Sequence, residues 1–134
     1  MFLLDTNILS ELMKRDPAAR VLARFEAAPD EQLFTSAICV EEIAFGASIA
    51  PAGNRHWERF ETQVLPWLTV LEFGLNSAFL GGPLRGDWHR RGHATSYADA
   101  LIAATAKAHG LTLVTRNARH FDHVSGLAVE NWFA

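Results

Sequence analysis

The sequence predicts an α/β domain of three layers, a parallel sheet of four to five strands covered by helices on both faces. Three observations carry that prediction. Short apolar runs alternate with stretches of helical periodicity, residues suited to helix caps stand at the joints, and Gly or Pro punctuates the exits. Strands separated by helices are joined by crossovers, which make parallel neighbours.

Met1 to Asp5 opens the chain as a strand, and the apolar run Phe2-Leu3-Leu4 has the character of one buried on both faces. Ile8 to Lys14 reads as a short helix with Thr6 or Asn7 as its cap. Pro17 opens a second helix, whose apolar stripe of Val21, Leu22 and Phe25 ends near Pro29. Gln32 to Thr35 is the second strand, and Ser36 caps a helix through Val40, Ile43, Ala44 and Ala47 toward Ile49. After the turn Pro51–Asn54, a fourth helix carries Trp57, Phe60, Val64 and Leu65 and stops at Pro66. A third strand lies within Trp67–Phe73. A helix then starts at Leu75, and Gly81-Gly82-Pro83-Leu84-Arg85-Gly86 is expected to break or end it. Ser96 caps an alanine-rich helix from Tyr97 to His109 that Gly110 closes. Leu111 to Thr115 is a fourth strand, Arg116 to Gly126 a loop, and Leu127 to Glu130 a last strand.

The 134 residues suit a single domain, 1–134, with one sizeable core. At 49% hydrophobic and 20% charged, the composition is globular rather than disordered. One cysteine, Cys39, excludes an internal disulfide and a cysteine-based zinc cluster, which fits a reducing, cytoplasmic setting. Asp5 interrupts the first apolar run before a signal sequence could form, and no run approaches the roughly 20 residues of a membrane span. Net charge is -3, so the chain as a whole does not advertise nucleic-acid binding. Its cations are unevenly placed, however. Arg85, Arg90, Arg91, Arg116 and Arg119 fall in the C-terminal third with His89, His93, His120 and His123. Arg forks suit phosphate, although scattered surface charge explains the same pattern.

The first strand stops on a carboxylate. An ionised Asp beside a core costs several kcal/mol unless it is hydrogen-bonded, paired or bound to a cation. In open parallel sheets, functional groups gather outside the carboxyl ends of the strands. Asp5 sits at such an end, Glu42 in the helix after the second strand, Asp99 in the first turn of the alanine-rich helix, and Asn117 just after the fourth strand. Oxygen ligands of this kind favour Mg²⁺ or Mn²⁺ over zinc. Each also has a purely structural reading: Asp5 as a helix cap, Asp99 with Ser96 as a capping box, Asn117 as a turn residue, Glu41 and Glu42 as solvated helix positions. Their common placement at strand exits favours the shared site.

Those residues resemble a known family. Leu3-Leu4-Asp5-Thr6-Asn7 is similar to the opening of PIN-domain ribonucleases, in particular the VapC and FitB-like toxins of toxin–antitoxin systems. Glu42-Ile43-Ala44-Phe45-Gly46 looks like their E-L-x-x-G segment and selects Glu42 over Glu41. Asp99 to Ala106 resembles D-x-x-I-A-A-x-A, and Thr115-Arg116-Asn117, Phe121 and Asn131-Trp132 resemble the C-terminal pattern. The matches run in order along the whole chain. The resemblance implies a Mg²⁺- or Mn²⁺-dependent endoribonuclease in which Asp5, Glu42 and Asp99 hold the metal and Asn117 completes the catalytic set. It places Arg116, Thr6, Asn7 and Thr115 around the substrate, with Thr6 and Thr115 also able to hydrogen-bond the acids. It further implies an RNA substrate, 5′-phosphate and 3′-hydroxyl products, a homodimer, and an antitoxin whose C-terminal segment blocks the site. The chain departs from the pattern T-R-N-x-x-D-F, because His120 occupies the place of that acid, with Asp122 just beyond.

Other chemistries lack their signatures. There is no P-loop, dinucleotide fingerprint, G-x-S-x-G elbow or H-E-x-x-H helix, and Cys39 lies in the apolar run Ala37–Val40. A phosphoaspartyl hydrolase requires a second acid where Asn7 stands. A receiver domain requires paired acids after the first strand and a lysine after a late one. The remaining alternative is a PIN scaffold that binds RNA or a protein without cutting, a reading that Asn117 in place of an acid keeps open.

Overall fold

The structure, a computed structural model, describes residues 1–93 and 96–134. Strand β1 (Phe2–Leu4) is followed by α1 (Thr6–Leu12) and α2 (Ala19–Ala27), then by β2 (Leu33–Ser36) and α3 (Ala37–Ile49). Next come α4 (Gly53–Arg59), β3 (Thr69–Leu71), α5 (Leu75–Arg90), α6 (Tyr97–Ala108), β4 (Thr112–Val114) and β5 (Val129–Glu130). The five strands form one parallel sheet in the order β3-β2-β1-β4-β5. The chain adds strands outward on one side of β1, then returns to its other side. Right-handed crossovers therefore put α1–α4 on one face and α5–α6 on the other, the three layers expected from the sequence.

Central β1 pairs Phe2 with Leu33 and Thr112, and Leu3 with Phe34 and Leu113. Leu3 and Leu4 are fully buried, as are Ile8, Leu9, Leu113 and Val114 around them. Burial of each such side chain stabilises the fold by about 1.5–3 kcal/mol relative to exposure. The reversal of strand order at β1 opens a crevice at the carboxyl ends of β1 and β4, where such sheets place their ligands.

Of the caps that the sequence offers for α1, the structure takes Asp5. Asp5, not Thr6 or Asn7, is the N-cap: its backbone is extended and its carbonyl accepts from Ile8 and Leu9. Its Oδ1 accepts from the Thr6 amide at 2.7 Å. Thr6 and Asn7 are thereby drawn into the first turn with their side chains released for other bonds. Ser36 and Ser96 cap α3 and α6 as expected, accepting from the amides of Ile38 and Asp99.

Helix α5 is a correction, for it runs unbroken through Gly81-Gly82-Pro83. Gly81 is buried where α5 packs on α6, and a β-carbon there would lie in ordinary contact, 3.4 Å from the Ala104 β-carbon. Pro83 sits on the exposed side of the helix. The corner between α3 and α4 needs its own glycine, since a β-carbon on Gly53 would run into the Ala47 carbonyl oxygen. Beyond α4 the chain continues through a π turn (Phe60–Val64) and a 3-10 turn (Leu65–Trp67) instead of stopping cleanly at Pro66. Trp88 and Trp132 are core residues, whereas Trp67, on that turn before the edge strand β3, is half exposed. No helix among the described residues is long and apolar enough to cross a membrane.

A candidate acid site at the strand exits

Asp5 leaves the end of β1 with its amide still bonded to the Val114 carbonyl at 2.9 Å, so the carboxylate is fixed between β1 and β4. It is buried. Thr115, the first residue beyond β4 and fully buried, donates its hydroxyl to Asp5 Oδ2 at 2.8 Å. The direction of that bond is forced. The Thr115 oxygen already accepts from the Asn117 amide at 3.1 Å and from Asn7 Nδ2 at 3.3 Å, leaving its one proton for the carboxylate. Asn7 in turn accepts from the Arg116 amide at 3.1 Å, which ties the start of α1 to the chain leaving β4.

Glu42 reaches the same crevice from the second turn of α3. Its Oε1 accepts the Thr6 hydroxyl at 2.6 Å, a short charge-assisted bond across 36 residues of chain. Glu41 points to solvent, as the choice between the two requires. Asp99 stands in the first turn of α6, where the Ser96 hydroxyl accepts from its amide at 3.1 Å. No return bond from the Asp99 carboxylate to the Ser96 amide occurs among the described residues. Asp99 lines the crevice.

Asp5, Glu42, Asp99 and Asn117 line one cavity of about 400 Å³, with Arg116 and Lys14 at its rim. Burial, above all, pushes the Asp5 carboxyl up from its ordinary 3.8 to about 6. The bonds from Thr115 and Thr6 oppose that shift, and the charges of Asp99 and Glu42 add to it. None of these three acids forms an ion pair among the described residues. Neither do any three Asp, Glu, His or Cys side chains there already stand grouped around one metal position. The acids surround the cavity rather than meeting at a point. An all-oxygen donor set with uncompensated negative charge, one member being hard to ionise in the absence of a cation, fits a hard divalent ion.

Thr6, Asn7 and Thr115 use their polar atoms inside the site, as braces of Glu42, Arg116 and Asp5. Arg116 is exposed at the rim, its guanidinium 4.4 Å from the centre of the Phe133 ring. His120 does not line the acid cavity: it sits in a 3-10 turn (Ala118–His120) directed into a neighbouring cavity. Asp122 is exposed. Cys39 is fully buried and its thiol is pushed up to about 12, chiefly by that burial and further by the Asp5 charge, so it is not a nucleophile.

One acid of the cavity is not apparent from the sequence. Glu11 is buried, accepts from Lys14 Nζ at 2.8 Å and from the Ala18 amide at 2.9 Å, and its carboxyl is held below the ordinary range by the Lys14 bond first. Unlike the other acids it is paired with a cation, so it positions Lys14 at the rim and adds no uncompensated charge to the cavity. The available signal is the spacing along α1: Ser10, Glu11 and Lys14 follow Thr6 and Asn7 at helical intervals on the same face.

The geometry defines a class: parallel α/β domains with an acid cavity at the exit of the first strand. The PIN domain family matches residues 2–127, and this chain belongs to that family. It is 40% identical to the VapC ribonuclease Y4jK of Sinorhizobium fredii over 98% of this chain and 96% of that protein. It is also 35% identical to the toxin FitB of Neisseria gonorrhoeae, over 90% and 91% of the two chains. Among solved structures, a chain of the FitAcB crystal structure from Neisseria gonorrhoeae superposes with a TM-score of 0.86 at 34% identity, covering 99% of each chain. A chain of the DNA-bound VapBC from Salmonella typhimurium gives 0.87 at 30% identity, covering 98% of this chain and 97% of that one.

Proposed function

We propose that this PIN domain is an endoribonuclease, the toxin of a toxin–antitoxin pair, that hydrolyses RNA phosphodiesters with Mg²⁺ or Mn²⁺. The observation that carries the reading is the trio Asp5, Glu42 and Asp99 around one cavity, with no base paired to them among the described residues. The names of its relatives support it: several are ribonucleases, one a tRNA(fMet)-specific endonuclease of Shigella flexneri at 32% identity, and FitB is a toxin. A structural relative at 28% identity with a TM-score of 0.72 is a toxin–antitoxin complex from Klebsiella pneumoniae. An antitoxin chain and a second copy of this chain are the protein partners proposed.

Asp5, Glu42 and Asp99 would hold the ion, which when bound lowers the pKa of its water and neutralises charge that grows on the phosphate oxygens. Thr115 and the Thr6 amide keep Asp5 aimed into the cavity, and the Thr6 hydroxyl does the same for Glu42. Arg116 and Lys14, at the rim, take non-bridging phosphate oxygens and draw the scissile phosphate toward the acids. Asn117 supplies an uncharged carbonyl oxygen that orients water. In the reaction a water oxygen bonds to phosphorus, the bond from phosphorus to the 3′ oxygen breaks, and that oxygen leaves with a proton. The products carry 5′-phosphate and 3′-hydroxyl ends.

Asn117 and the ungrouped acids favour one second reading, a scaffold that binds RNA without cutting it. Incubation of the purified chain with bulk tRNA and ribosomal RNA in Mn²⁺, with EDTA and Asp5→Asn as controls, separates the two. Cleavage that both controls abolish is the expected result. RNA that is bound but left whole would establish the scaffold.

A further inference from the structure

Beyond Asn117 the chain turns through Ala118–His120, with the His120 amide bonded to the Asn117 carbonyl at 2.9 Å. The turn folds Arg116, Arg119 and His120 around a cavity of about 320 Å³ that Asn117 and Asn131 complete. No carboxylate among the described residues lines it. Arg116, Arg119 and His120 form no ion pair among the described residues, so their donors face open solvent. Arg116 and Asn117 also line the acid cavity, so the two cavities lie side by side with a common wall.

The C-terminal turn holds that wall in place. Asn131 donates Nδ2 to the Arg116 carbonyl at 3.4 Å, and its Oδ1 accepts from the Phe133 amide at 2.9 Å. Phe133 then sets its ring beneath the Arg116 guanidinium. An acid-lined cavity beside a base-lined one suits a polyanionic chain whose one phosphate is met by a cation and whose next is met by guanidinium.

We infer that the cavity formed by Arg116, Arg119, His120 and Asn131 is a second phosphate subsite, which takes the RNA backbone phosphate adjacent to the one being cut. This rests on the ribonuclease reading above. Arg119 and His120 are the residues it newly assigns: exposed donors to a non-bridging phosphate oxygen, with no part in holding the ion.

The test is binding of a fluorescein-labelled, single-stranded RNA 12-mer to the full chain in EDTA at pH 7, followed by anisotropy across a range of salt. Arg119→Gln with His120→Gln should weaken binding several-fold at 0.1 M salt. It should also flatten the plot of log affinity against log salt by about 0.7 for each phosphate that the chain no longer neutralises. Arg119→Lys with His120→Lys should restore the slope, and the rise in melting temperature with Mn²⁺ should be the same in all three proteins. Unchanged RNA affinity and slope in the Gln variant, with the wild-type chain binding and cutting RNA, would overturn the subsite and leave the nuclease intact. If that variant keeps RNA but loses binding to polyglutamate, the cavity belongs to an acidic protein segment and the inference is again overturned. A wild-type chain that neither binds nor cuts RNA would sink both readings together.

Discussion

Thr6 donates its hydroxyl to Glu42 Oε1 at 2.6 Å, and this bond joins the helix that Asp5 begins to the helix that carries the second acid. Glu42 is only partly buried and hangs on α3 by a flexible stem, so its aim into the cavity depends on this donor. Thr6→Val keeps the shape and removes the bond. Loss of such a partner typically costs 10–100-fold in metal affinity or activity. The expected result is a cleavage rate that needs about tenfold or more Mn²⁺ for half saturation, with Thr6→Ser close to wild type. A Val variant with an unshifted Mn²⁺ requirement would show that Glu42 is aimed by something else.

The crowding of Asp5, Glu42 and Asp99 has a thermodynamic signature. A cation that binds only the folded chain stabilises it by about 2.7 kcal/mol at a hundredfold excess over its dissociation constant. For a domain of this size that corresponds to a rise in melting temperature on the order of 5–10 °C. Millimolar Mn²⁺ should produce such a rise by calorimetry, and Asp99→Asn should shrink it by more than half. An undiminished rise in that variant would mean that Asp99 serves only α6.

Asp5 gives the metal-free protein a pH dependence of unusual sign. Its folded-state value of about 6 lies above the ordinary 3.8, so the folded state binds that proton more tightly than the unfolded chain does. The penalty for an ionised Asp5 is therefore fully present above pH 6 and is relieved as pH falls from 6 toward 4, by roughly 3 kcal/mol over the whole span. Glu11 works the other way, because its lowered value makes its stabilisation fade on acidification. Comparison of wild type with Asp5→Asn isolates the first effect. Without metal the variant should be the more stable at pH 7.5, and its advantage should narrow steadily toward pH 5. An advantage that does not change with pH would contradict the burial of an ionised Asp5.

Much of this is legible in the sequence because it is local. Ser36 and Ser96 announce α3 and α6 through a hydroxyl that bonds an amide two or three residues away, and both caps stand where expected. Asp5 is visible as a carboxylate at the end of an apolar run. That it caps α1 is one reading among three, since Thr6 and Asn7 have the same preference and only long-range bonds to Glu42, Thr115 and the Arg116 amide divide the roles. Apart from Glu41, Glu42 and Ser48, helix α3 has apolar or small residues on every side, so periodicity cannot foretell that Cys39 and Ile43 face the core and Phe45 and Ile49 the solvent. Glu11 is hidden for a related reason: helical spacing puts it on the face of Asn7 and Lys14, but does not say that this face lines a cavity.

The failed break at Gly81-Gly82-Pro83 shows tertiary contact overriding propensity, and it yields a prediction. Helix α5 buries Ser77, Gly81 and Trp88 along one stripe. At Gly81 an added β-carbon would stand 3.4 Å from Ala104 Cβ, 3.7 Å from Phe73 Cζ and 3.9 Å from Leu101 Cδ2, which is ordinary contact. Alanine therefore fits, and its helix propensity should stabilise the protein by up to about 1 kcal/mol. Leucine does not fit and should cost about 1–3 kcal/mol by forcing α5 and α6 apart. Because α6 carries Asp99 in its first turn, the displacement reaches the acid cavity. Gly81→Leu should then lose cleavage even at temperatures where it remains folded, whereas Gly81→Ala keeps it. Urea denaturation together with the RNA cleavage assay reads both effects, and a leucine variant as stable and active as wild type would mean that the two helices do not meet at Gly81.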